Sequence, residues 1–169
     1  MKDFRLSEAN FSFKVLVSFF LLIVGLGYVF GLINIYNNTG FSYTGLVTHY
    51  RGDVPKEFAF AKLVQHNHVH LFSLAMLFFQ VGIIFSLTQI PEFLKAILIA
   101  IPFLGMLLDF TSFWLLTFVS PVFAWFSICF GGGMALSFFL LIGRPLYEMW
   151  ILPLWHRRWP QGEVPWFLR

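Results

Sequence analysis

The chain has little charge and a single cysteine, and each shortage removes a class of protein. Charged residues make up 11% of its 169 positions, about half the share found in a soluble domain. With 59% of residues hydrophobic and 21% aromatic, too little polar surface remains to cover a water-soluble globule. The lone cysteine, Cys129, sits in an apolar run, which excludes an intramolecular disulfide and a cysteine-ligated metal cluster. The net charge of +3 comes from Lys and Arg at the ends of apolar runs rather than in a patch, so nucleic acid is not an expected partner. No phosphate loop, nucleophile elbow or carboxylate pair appears, and nothing marks an enzyme acting on its own.

What is present is a series of long apolar runs. A bilayer crossing takes about 20 apolar residues, and the pattern predicts an all-α integral membrane bundle of four transmembrane helices. The spans fall at about residues 15–36, 63–90, 94–119 and 121–143, in one membrane domain covering 1–169. Residues 1–14 alternate Phe4, Leu6, Phe11 and Phe13 with charges, which suits a segment lying on the membrane surface. The first apolar run exceeds a signal-peptide core and no small-residue cleavage site follows it, so a retained helix is expected. Pro91 and Pro121 mark tight turns, and Pro121 is placed to open a helix. Residues 37–62 are the one long polar connection. The tail, 144–169, sets Trp150, Trp155, Trp159 and Trp166 beside Arg144, Arg157 and Arg158, a mixture suited to the headgroup layer.

Charge fixes the expected orientation. Lys2, Arg5, Lys14, Lys95, Arg144, Arg157, Arg158 and Arg169 lie on one side, eight in all; Arg51, Lys56 and Lys62 lie on the other, making three. Both termini are therefore expected in the cytoplasm and the polar loop in the periplasm, in a multi-pass protein of the inner (plasma) membrane. Asn37-Asn38-Thr39 fits a glycosylation sequon, a short match that carries no weight here.

Chemistry concentrates at the outer end of the second span, in His66-Asn67-His68-Val69-His70. On a helix His66 and His70 differ by about 40° and share a face, while His68 points elsewhere. That face runs on through Ser73, Leu77 and Gln80. Two imidazoles one turn apart converge on a metal ion, and a single imidazole ligates haem iron. Asp109, flanked by Leu107, Leu108 and Phe110, is the second candidate. A carboxylate at such a depth costs about 2.5–3.5 kcal/mol or more, so it should face the interior and hold a partner. It shares a stripe with Gly105 and Ser112, and its depth matches that of His70. The expectation is one centre of His66, His70 and Asp109, with Asp109 as ligand, imidazole-orienting group or proton relay. A hydrogen bond or a salt bridge to Arg51 is the plainer alternative for it. In the loop, His49 and Arg51 stand beside the same mouth, where His49 is a further ligand and Arg51 a partner for a haem propionate, a quinone headgroup or Asp53.

Gly27 and Gly31 make a G-x-x-x-G pair in the first span, and Gly131-Gly132-Gly133 sit in the fourth. Such residues let helices approach closely. All histidines inside the spans are on the second, so a haem clamped between two spans cannot be built within one copy. It would need His49, Met106, Met134, an open position or a second subunit.

His68-Val69-His70-Leu71, leading into a long apolar helix, resembles the histidine-bearing helices of haem–copper oxidases and nitric oxide reductases over about twenty residues. Those enzymes carry histidines on several helices, which this chain does not. Tyr50-Arg51-Gly52 followed by His66-x-His68-x-His70 is similar to small, uncharacterised bacterial four-helix membrane proteins. Both resemblances imply a respiratory setting. The expected role is a small inner-membrane subunit of an electron-transfer assembly, holding haem b or a transition metal near the outer face. Its expected partners are the lipid bilayer and other membrane or periplasmic subunits. The alternatives are a structural or assembly subunit, and a small proton- or ion-conducting protein using Asp109 and Gln80.

Overall fold

A computed structural model describes residues 6–52 and 55–154. After a 3-10 turn at Leu6–Glu8 come α1 (Phe11–Thr39), α2 (Tyr43–Arg51), α3 (Lys56–Ser86), α4 (Glu92–Phe118) and α5 (Phe123–Leu146). The last helix runs on through a π turn, Tyr147–Ile151, to Leu154. Lys2, Phe4, Arg5, Asp53, Trp155, Arg157, Arg158, Trp159, Trp166 and Arg169, on which parts of the sequence reading rest, lie outside the described residues.

Four of these helices, of 29, 31, 27 and 32 residues, are long and apolar enough to cross a membrane. Even the shortest reaches about 40 Å at 1.5 Å per residue, against about 30 Å of hydrocarbon. The all-α, four-span architecture expected from the sequence is the one observed. Local signals set the ends. Asn10 caps α1, its Oδ1 accepting from Phe13 N–H at 2.8 Å, and Gly40, at φ 59°, closes it by donating to the Tyr36 carbonyl at 2.7 Å. Pro55 and Pro91 immediately precede α3 and α4. The helices are also longer than the apolar runs alone. α3 starts seven residues before position 63, and α5 passes Gly143, where the sequence reading ended it, by way of Pro145.

α4 and α5 form the tightest pair, because Gly105 lets the backbones close. A Cβ at Gly105 would stand 3.1 Å from Met134 Cβ and 3.3 Å from the Phe130 carbonyl oxygen. Phe78, Val81 and Phe85 of α3 and Phe138 and Leu141 of α5 fill the core and are fully buried. α1 is peripheral, exposing Leu16, Phe19, Ile23 and Phe30 among others, as a lipid-facing helix should. Among the described residues nothing lies within 4 Å of a Cβ at Gly27 or Gly31. They do not pack α1 onto this bundle.

The two ends of the bundle are built differently. At one end, α2 occupies what the sequence alone shows as a polar loop. Ser42 caps it, accepting from Gly45 N–H at 3.0 Å. Gly45 presses so closely on the end of α1 that a Cβ there would lie 1.9 Å from the Thr39 carbonyl oxygen, so only glycine fits. α2 buries Leu46, stacks Tyr50 on Phe113 of α4 at 4.6 Å, and stacks Tyr43 on Trp125 of α5 at 5.5 Å. At the opposite end Glu148, in the π turn, is wholly buried. Its two oxygens accept from the Gln89 backbone N–H at 3.0 and 2.9 Å, and Oε1 also accepts from Arg144 Nε at 2.8 Å. Lys95 there donates to the Ser86 carbonyl at 2.9 Å and pairs with Glu92 at 2.7 Å. Leu6–Glu8 packs against the π turn, so the two ends of the chain's described part meet on this side.

Candidate functional site

The α3 backbone is helical through the histidine segment, and this brings His66 and His70 together. Their ring centroids lie 4.3 Å apart. His66 is half-buried, edge-on to Phe110 and Phe113 of α4 at 6.1 Å each, which fixes its ring from one side. His70 is exposed, and His68 is exposed on another flank. Further along, Ser73 donates to the Val69 carbonyl at 2.8 Å, satisfying itself on its own helix, and Gln80 faces outward.

His49 reaches the same mouth from α2. Its ring meets Tyr50 edge-on at 4.9 Å, and it lies within electrostatic reach of His66. Burial, and then the positive charge of Lys62, hold the His49 imidazole below its ordinary value of 6.5. The neutral imidazole thus favoured is the form that ligates metals. Arg51 ends α2 and is exposed.

Asp109 is 7% exposed and turns towards α5. Ser127 Oγ donates to its Oδ1 at 2.5 Å. Gly131, one turn beyond Ser127, leaves room for the carboxylate: a Cβ there would stand 3.7 Å from each oxygen. Ser112 is buried but returns its hydroxyl to the Leu108 carbonyl at 2.7 Å. Tyr50 of α2 and Tyr28 of α1 lie within electrostatic reach of Asp109. Burial, and then that negative charge, push the Tyr50 phenol up. Tyr28 is held by stacking on Phe138 at 4.2 Å. Met106 and Met134 are buried in the core.

The observed partner of Asp109 is Ser127 of α5 rather than either histidine. Among the described residues no three of His, Cys, Asp and Glu gather closely enough to hold a metal ion. The partner the sequence reading sought for Asp109 among the imidazoles or Arg51 is a serine on the neighbouring helix. Ser127 and Gly131, four apart on one face of α5 and both small, are the signal that marks a polar pocket there. Asn67 was also unforeseen. It lies on the stripe of α3 shared with Leu63, Leu74 and Phe78, and its Oδ1 is buried with no hydrogen-bond partner among the described residues.

A family model described as a transmembrane helical domain matches residues 40–155. No curated protein matches the chain, and no solved structure does. The match agrees with the likeness to small helical membrane proteins and extends nothing to haem–copper oxidases.

Proposed function

The chain belongs to the Aq_1264_TM family of transmembrane helical domains, and on that premise we propose that it is a subunit of a membrane electron-transfer assembly that binds a transition metal through His66 and His70. The observation that carries this reading is the 4.3 Å approach of the two imidazoles at the α2 end. The donor set suits an ion held by two nitrogens with positions left open. A haem fits less well, since both imidazoles leave one face of one helix and only one of them would reach its iron. His49 is a further donor within electrostatic reach of His66, and Arg51 is available to an anionic group of a partner or cofactor. A bound transition metal would supply one-electron redox chemistry or Lewis acidity; the chain supplies the two imidazoles, the aromatic wall that orients His66, and the α2 cap that holds His49 beside them.

The orientation proposed is α2 outward, from the eight-to-three distribution of Lys and Arg, in the inner membrane of a bacterium. Membership of a larger assembly is supported by the bare Gly27–Gly31 face of α1, which a partner helix would cover. The test is the metal content and visible spectrum of protein purified gently with its natural partners. Stoichiometric metal, lost in His66→Ala and His70→Ala and kept in His68→Ala, is the expected result. Protein with neither metal nor haem would leave only the assembly-subunit reading.

A further inference from the structure

Asp109 poses a separate problem from the histidines. It lies nine residues from the Phe118 end of α4 and seventeen from the Glu92 end, or about 14 Å against about 26 Å. Among the described residues, the ion pairs Lys95–Glu92 and Arg144–Glu148 do not involve it. Its one side-chain hydrogen bond comes from a neutral hydroxyl. A carboxylate cannot enter an apolar bundle alone: one positive charge must accompany it.

The surroundings are asymmetric. Towards the α2 end are Ser127, hydrogen-bonded to the carboxyl, Tyr50, within its electrostatic reach, and half-buried His49 against Tyr50. Towards the other end the buried side chains next to it are apolar, Met106, Met134, Phe78, Phe138, Val81, Leu141 and Phe85 among them. Ser137 is the buried hydroxyl among them, and it donates to the Met134 carbonyl at 2.9 Å. Among the described residues, buried polar groups resume at that end with Thr88, Lys95 and Glu148, already engaged with the Phe85 carbonyl, with Ser86 and Glu92, and with Gln89 and Arg144 respectively. Gln80, which a through-path would need, faces outward.

We propose that Asp109, with Ser127 and with Tyr28 and Tyr50 beside it, is a binding site for one proton that exchanges only with the α2 side of the membrane. The titratable groups facing it are Tyr28 from α1 and Tyr50 from α2. α5 presents Ser127 and Gly131; on α3, His66 and His70 face each other, with His66 set against Phe110 and Phe113. α2 is the element through which that exchange would pass, since Tyr50 stacks on Phe113 and lies within electrostatic reach of the carboxyl. The site shares no ligand with the histidine pair, so either proposal stands if the other fails.

The experiment uses a membrane-soluble carbodiimide, which reacts with protonated carboxyls in apolar surroundings, on the wild-type protein in vesicles of known orientation with the pH set independently on each side. Mass analysis is expected to find Asp109 modified and Glu148 not. Labelling should rise as pH falls on the α2 side and ignore the pH of the other. Asp109→Asn should abolish it. Ser127→Ala, which keeps the carboxyl but removes its hydrogen bond, should shift the midpoint of the pH response by about one unit. An unlabelled Asp109 in folded wild-type protein at acid pH, a response that follows the opposite side, or an unmoved midpoint in Ser127→Ala would overturn the proposal.

Discussion

The two ends of this bundle both carry polar side chains and use them in opposite ways. At the Glu148 end every oxygen of the buried carboxylate has a donor, one from a cation and two from a backbone N–H shared between them. At the α2 end Asp109 has one neutral donor, His66 and His70 face each other rather than a counter-charge, and Asn67 Oδ1 has none among the described residues. Saturated polar groups hold a structure together; unsaturated ones are ready to take a ligand. The difference marks the first end as structural and is the reason the proposed function is placed at the second.

The largest expected effect tests the structural end. Glu148→Ala removes a fully buried side chain and leaves the Gln89 N–H without its acceptor, so it should cost roughly 3 kcal/mol. Thermal unfolding in detergent measures it, and a loss under about 0.5 kcal/mol would erase the contrast between the ends. Next comes the α2 cap. Gly45→Ala forces a Cβ into the Thr39 carbonyl, and the overpacking should cost roughly 1–3 kcal/mol, read as faster proteolysis within α2. Unchanged protection would mean that α2 is not clamped to the end of α1.

Much of this was legible in advance, and the reasons differ by region. The four spans stood out because each is a long apolar run with charge kept to its ends, Asp109 apart. α2 did not: nine residues of mixed character, Tyr43–Arg51, carry no strong hydrophobic signal. Its marks were subtler, a Ser42 N-cap and a Tyr43-Leu46-Tyr50 face at helical spacing. The end of α5 was hidden for another reason. Pro145 reads as a stop, yet the Arg144–Glu148 pair and a π turn carry the helix past it. At the site, the His66–His70 face follows from periodicity alone. The Asp109–Ser127 contact does not, because it depends on how closely Gly105 lets α4 approach α5, a tertiary fact no local pattern contains.

Smaller effects sharpen the functional end. His66→Ala and His70→Ala should change thermal stability by less than about 1 kcal/mol while removing bound metal, since both rings are partly exposed and anchor no core. A large stability loss in either would make the pair structural. The slightest effect is a pH dependence. Because His49 is held below 6.5 when α2 is docked, undocked α2 binds more protons, so docking should weaken as pH falls through 6.5 and be at full strength above it. Fluorescence of Trp125, stacked on Tyr43, reports this, and His49→Gln should remove the dependence.

The most direct measurement is a titration of metal-stripped protein with Zn²⁺ and Cu²⁺ by calorimetry, repeated on His66→Ala, His68→Ala and Glu148→Gln. One saturable site per chain, lost in His66→Ala and retained in the other two, is the predicted result. No saturable binding, or binding that survives His66→Ala, would contradict the assignment of function to the α2 end.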